Sequence, residues 1–89
     1  MSFSLFKKII SEREFKYVCS HLYHHGMSEH DVDEIRTIFE THLNDPHRFR
    51  GMDKKDVTSI LDWMRENKND HNLSSDQIDS LEAELYKYL

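Results

Sequence analysis

Eighty-nine residues make one helical domain, residues 1–89, large enough for a single core to stand alone. Hydrophobic residues are 37% and charged residues 33% of the chain, which is too apolar for disorder and too polar for a membrane protein. Twelve basic against seventeen acidic residues give a net charge of −5, and this disfavours nucleic acid and anionic membrane as partners, since both need a cationic surface.

Apolar stretches such as Leu5-Phe6 and Ile38-Phe39 are no longer than two or three residues, far short of the roughly 20 residues that span a bilayer. The opening MSFSLFKKII lacks the long apolar centre of a signal peptide. One cysteine, Cys19, excludes an internal disulfide and fits a reducing compartment, so a cytoplasmic protein is expected.

A helical lead-in is predicted over 3–9, carrying Phe3, Leu5, Phe6 and Ile9. So much apolar surface in a terminal segment leaves homodimerisation through it open. Four helix starts of one design follow: an apolar residue, a capping side chain, a polar residue three positions on, then a second apolar residue. They are Ile10-Ser11…Glu14-Phe15, Met27-Ser28…Asp31-Val32, Met52-Asp53…Asp56-Val57 and Leu73-Ser74…Gln77-Ile78. In each, the cap oxygen accepts from free N–H groups of the first turn, and the apolar pair staples the entering chain to the helix. Apolar residues then recur three and seven positions on, as in Val18 and Leu22 or Ile60 and Met64, and mark one buried stripe per helix.

These signals predict helices over 11–25, 28–43, 53–67 and 74–88, giving an all-α, four-helix domain of two helical hairpins. Gly26 and Gly51 sit where a chain leaving a helix needs positive φ. Asn44-Asp45-Pro46 is expected to stop the second helix, with a turn from Pro46 to Gly51. The connection from Glu66 to Gln77 has the length of an EF-hand loop, so an EF-hand-like layout is open. Its third, sixth and last positions are Lys68, His71 and Gln77, where calcium requires an oxygen ligand, glycine and a bidentate carboxylate. Useful calcium affinity is therefore not expected.

Among groups that carry chemistry, His21 and His25 lie on one side of the first helix, and an antiparallel hairpin would bring Asp31 near His25. Two histidines and a carboxylate can hold zinc. The simpler reading is a helix end whose histidines oppose the negative end of the helix dipole, with no cofactor. Cys19 borders the buried stripe and has no signature of an activated nucleophile. No glycine-rich phosphate loop is present, and no helix carries an Arg/Lys/Asn/Gln face for reading DNA. A non-enzymatic protein is expected.

Glu29, Asp33 and Glu40 project outward from the second helix at steps of four and seven. Such a face would meet a basic protein partner with fast, steered association. Arg48, Phe49 and Arg50, expected in the turn beyond, would anchor the interface edge, while Trp63 belongs to the core. The expected function is thus binding and regulating or inhibiting a protein partner. The alternatives are a metal-binding helical protein using His21, His25 and Asp31, or a homodimeric structural domain.

Residues 11–68 resemble the immunity proteins that neutralise DNase colicins and pyocins. The matching segments are Ser11-Glu12-Arg13-Glu14-Phe15, Ser28-Glu29, Phe39-Glu40 with Asp45-Pro46 after it, and Ile60-x-x-Trp63-x-Arg65. The resemblance implies a cytoplasmic four-helix inhibitor that binds its toxin through the second helix, with Glu29 and Asp33 as specificity contacts. The chain departs from that family in having no Tyr-Tyr-Pro segment and in adding a helix over 74–88.

Overall fold

A computed structural model describes residues 9–89, apart from the side chains of 44–50. The predicted lead-in over 3–9 therefore lies outside the described residues, save Ile9, which is not helical. Four α-helices follow: α1 (Glu12–Leu22), α2 (Glu29–Arg50), α3 (Lys54–Glu66) and α4 (Ser75–Tyr86). A 3-10 turn, Tyr23–His25, extends α1, and another, Lys68–Asp70, lies between α3 and α4. The all-α, four-helix architecture is as the sequence predicts.

Each helix start is capped reciprocally. Glu14 N–H donates to Ser11 Oγ at 3.1 Å and Ser11 N–H donates back to Glu14 Oε1 at 2.9 Å. Ser28/Asp31, Asp53/Asp56 and Ser74/Gln77 repeat this exchange. Two first-turn donors are thereby satisfied per helix without water. The stapling residues Ile10, Met27, Met52 and Leu73 are all buried, so each cap also fixes the angle at which the chain enters its helix.

The way α1 ends is equally local. Gly26 takes φ +83, Met27 N–H donates to Leu22 O, and Gly26 N–H donates to Tyr23 O. Buried Leu22 and Met27 flank this Schellman motif.

The second helix departs from expectation. It does not stop at Asn44-Asp45-Pro46 but runs to Arg50, so Arg48, Phe49 and Arg50 belong to its last turn rather than to a turn after it. Proline inside a helix forfeits one hydrogen bond, yet its φ is already helical, and the residues after it propagate as from a first turn. What ends α2 is Gly51, at φ +90.

Gly51 also sits under a close approach. Ile10 and Met52 form an isolated antiparallel bridge, with Ile10 N–H to Met52 O at 2.7 Å and Met52 N–H to Ile10 O at 2.9 Å. The bridge ties together the starts of α1 and α3. At the other end of the bundle Gln77 Nε2 donates to Asp31 Oδ2 at 3.1 Å, linking the starts of α4 and α2. The two hairpins are thus pinned start to start at both ends.

A Cβ on Gly51 would lie 2.8 Å from Ile10 O, whereas one on Gly26 would meet nothing within 4 Å. Both glycines have positive φ. Gly26→Ala is expected to cost about 1 kcal/mol of backbone strain, and Gly51→Ala about 2–3 kcal/mol, because the bridge must also shift. Urea denaturation checks the pair, and equal losses would contradict the close approach.

Between the helices, α1 and α3 each pack against both α2 and α4. The core they enclose includes Val18, Leu22, Val32, Ile35, Phe39, Val57, Ile60, Leu61, Met64, Ile78, Leu81 and Leu85. Cys19 joins it as a small apolar side chain, and Trp63 packs against it half-buried. On the surface Arg65 Nη2 bridges Asp79 and Glu82, each at 2.9 Å, and clips α3 to α4.

The connection from α3 to α4 is organised around a buried histidine. Leu73 N–H donates to His71 Nδ1 at 3.1 Å, so the ring proton is on Nε2, which donates to Met64 O at 2.6 Å. Asn72 N–H donates to the Glu34 carboxylate of α2. The segment is thus held by a side chain that satisfies two backbone groups.

Candidate functional site

The three carboxylates singled out from the sequence share the solvent side of α2. Glu29, Asp33 and Glu40 are all exposed, opposite the buried stripe of Val32, Ile35, Ile38 and Phe39. Glu29 lies in the first turn, where its charge also favours the helix dipole. Arg36 approaches Asp33 at 3.8 Å with both side chains half or more exposed, a contact too open and too long to neutralise the face. Arg48, Phe49 and Arg50 continue the same helix beyond Glu40, and their side chains lie outside the described residues.

Beside Glu40 the surface opens into a groove of about 420 Å³ between α1 and α2. Ile10, Phe15, Phe39, Leu43 and Met52 supply its apolar walls, and Lys16, Arg36 and Glu40 stand among the residues that line it. Phe15 and Phe39 stack at 5.1 Å between ring centroids, so the inner wall is continuous with the core. The groove opens next to Gly51, where the first and third helix starts are bridged.

The histidine and carboxylate set expected as a metal alternative is not gathered. His25 Nε2 donates to Glu84 Oε2 at 2.8 Å, whereas Asp31 is occupied by Ser28 and Gln77. The His21 ring faces His24 at 6.0 Å between centroids. Among the described residues no group of three or more His, Cys, Asp or Glu side chains is placed to hold a metal ion. His42, on the inner edge of α2, places Nδ1 2.8 Å from Ile38 O, and its ring edge packs on Trp63.

Glu84 is what His25 serves. Its side chain is only 8% exposed, and Lys87 Nζ approaches its other oxygen, Oε1, at 3.2 Å. The His25 hydrogen bond, with Lys87 beside it, holds the Glu84 carboxyl below its ordinary value against the opposing effect of burial. A carboxylate so lowered stabilises the fold above its unfolded value, and the contribution fades as pH falls through the folded one. Glu84→Gln is therefore expected to cost about 1–2 kcal/mol at pH 7. The gap to the parent should close as the pH drops below about 4, and a gap independent of pH in thermal melts would contradict the ionic reading.

Cys19 is buried beside Arg36. Burial pushes its thiol above the ordinary value, although the Arg36 guanidinium pulls the other way. A protonated, enclosed thiol is a core side chain rather than a nucleophile.

Glu84, His71 and the groove escaped the sequence. Glu84 lies three positions after Leu81 and beside Leu85, so a carboxylate next to the apolar stripe of α4 was the available signal that it needed a partner. His71 had no such signal, because its ring is recruited by backbone groups of a non-helical segment. The groove arises where helices diverge, which no spacing within one helix reports.

Comparison of the chain with protein-family models, with curated proteins and with solved structures finds no match.

Proposed function

We propose that this protein is a non-enzymatic partner-binding protein, of adaptor or inhibitor type, that docks the acidic face of α2 onto a basic protein surface. The observation that carries this reading is the clustering of Glu29, Asp33 and Glu40 on the exposed side of α2, where Val32, Ile35, Ile38, Phe39 and Leu43 are buried in the core. These carboxylates stabilise little in the free protein, so their clustering is better suited to a second molecule. In this proposal Arg48, Phe49 and Arg50, in the last turn of the same helix, belong to the interface. No helix among the described residues is long and apolar enough to cross a membrane, and the net charge of −5 suits a basic protein better than a phosphate backbone. Inhibition of a nuclease, as the immunity-protein resemblance implies, is one form of this role.

The test is capture from a lysate of the native host by the tagged protein and by its Glu29→Lys/Asp33→Lys/Glu40→Lys variant. The parent is expected to retain a partner that the variant loses. The variant should keep its fold, at a cost of about 1 kcal/mol, chiefly from a lysine at the N-terminal turn of α2. A partner held equally by both would overturn the proposed face.

A further inference from the structure

The outward sides of α1 and α2 carry opposite charges at matching levels. On α2, Glu29, Asp33 and Glu40 are exposed, and among the described residues the one cation within ion-pair distance of them is Arg36, at 3.8 Å from Asp33. On α1 the exposed cations are Arg13 and Lys16, and neither is in an ion pair among the described residues. Lys16 lines the groove beside α2, and Ser20 and Tyr23 follow it at steps of four and seven, with Tyr23 44% exposed. Glu12 lines the same groove, but it stands in the first turn, where the positive end of the helix dipole offsets its charge.

Burial sets these two sides next to each other. Phe15 stacks on Phe39 and Cys19 lies beside Arg36, on the flank that α1 turns to α2, while His25 meets Glu84 on the flank it turns to α4. In the same way α2 turns Phe39 to α1 and His42 to Trp63 of α3. The layer that α1 and α2 present to solvent therefore carries Arg13, Lys16, Ser20 and Tyr23 beside the three carboxylates. The Phe15/Phe39 and Cys19/Arg36 contacts also fix the levels along the antiparallel pair. To within a turn, Arg13 and Lys16 stand level with Glu40, Ser20 with Asp33, and Tyr23 with Glu29.

We infer that this layer is the contact face of a symmetric dimer, in which α1 of one copy lies antiparallel across α2 of a second copy. A two-fold axis running along the hairpin exchanges the two helices without changing level, so each contact is made twice. Arg13 and Lys16 then meet Glu40 and Asp33 of the second copy, and the Tyr23 hydroxyl reaches Glu29. Ser20, between them, is small enough for the helices to approach closely. Charge complementarity selects this occupant: an unrelated basic surface would satisfy the carboxylates but leave Arg13 and Lys16 facing like charge, whereas a second copy satisfies both halves. The face is small and polar, so the dimer is transient, with a dissociation constant of about 10–100 µM that rises with salt. The inference goes beyond the partner reading and does not rest on it; a basic partner would have to displace the second copy.

The experiment is sedimentation equilibrium of the purified full chain from about 10 µM to about 1 mM, at low and at high salt, which brackets a weak dimer. The parent's mean mass is expected to climb from one chain toward two, with association weakened about tenfold or more by high salt. Two variants reverse one half of the face each: Arg13→Glu/Lys16→Glu on α1, and Asp33→Lys/Glu40→Lys on α2. All four positions are exposed, so circular dichroism should show both variants folded. Alone, each variant sets like charges against like in both contacts and should associate at least about tenfold more weakly than the parent. Mixed in equal amounts they restore opposite charges in both contacts, and a mixed dimer within about threefold of the parent's affinity is expected. A parent that stays at the mass of one chain throughout would overturn the inference. So would a dimer that both variants keep, or folded variants whose mixture does not recover it.

Discussion

Phe39→Ala is expected to lower the melting temperature by about 15 °C or more, the largest effect of any single substitution considered. Phe39 is 1% exposed, among the largest of the fully buried side chains, and stacks on Phe15 from the centre of α2. Truncating such a ring costs about 3–5 kcal/mol through lost transfer energy and the void left behind. An 89-residue domain has only about 5–10 kcal/mol in hand, so the variant should sit near the edge of folding at 37 °C. Phe15→Ala, which removes the partly exposed member of the stack, should cost about half as much. Urea titration of both variants checks the ratio, and equal losses would mean that Phe39 is not the deeper ring.

The second large effect belongs to His71. Alanine there would strip the Met64 carbonyl of its donor and the Leu73 N–H of its acceptor, in a segment where His71 is itself buried. Two buried backbone groups left unpaired cost about 1–3 kcal/mol each, less whatever water recovers, so a loss of about 3 kcal/mol is expected. The ring also fills space beside Trp63, at 6.2 Å between centroids. His71→Gln keeps an acceptor and a donor on a side chain of similar length and should recover part of the loss. If alanine and glutamine cost the same, the histidine is packing and not hydrogen bonding that holds the connection.

Fold was legible because its determinants are local. Each capping box needs only residues at positions i and i+3, so Ser11/Glu14 through Ser74/Gln77 could be read directly and are all formed. Gly26 and Gly51 were legible for the same reason. Pro46 misled, because a breaker at one position was weighed without the helix-compatible φ it brings, and α2 gained seven residues over the predicted end at 43. The acidic face was visible from helical spacing, since exposure on one helix follows from burial of its opposite side. Interactions between helices were not legible. His25 meets Glu84 across 59 residues and Asn72 meets Glu34 across 38, and no single-helix pattern encodes either. That is also why the expected set of His21, His25 and Asp31 is not assembled: the partner that burial assigns to His25 comes from α4, not from the start of α2.

The proposed partner face is tested most directly by the rate at which a captured partner associates with the parent and with the Glu29→Lys/Asp33→Lys/Glu40→Lys variant, as salt is varied. If the acidic face steers the encounter, the parent's association rate should fall about tenfold or more between low and physiological salt. The variant should bind far more slowly at low salt, with a weak salt dependence. Equal rates with equal salt dependence would contradict the account, and would place the interface on another surface of the domain.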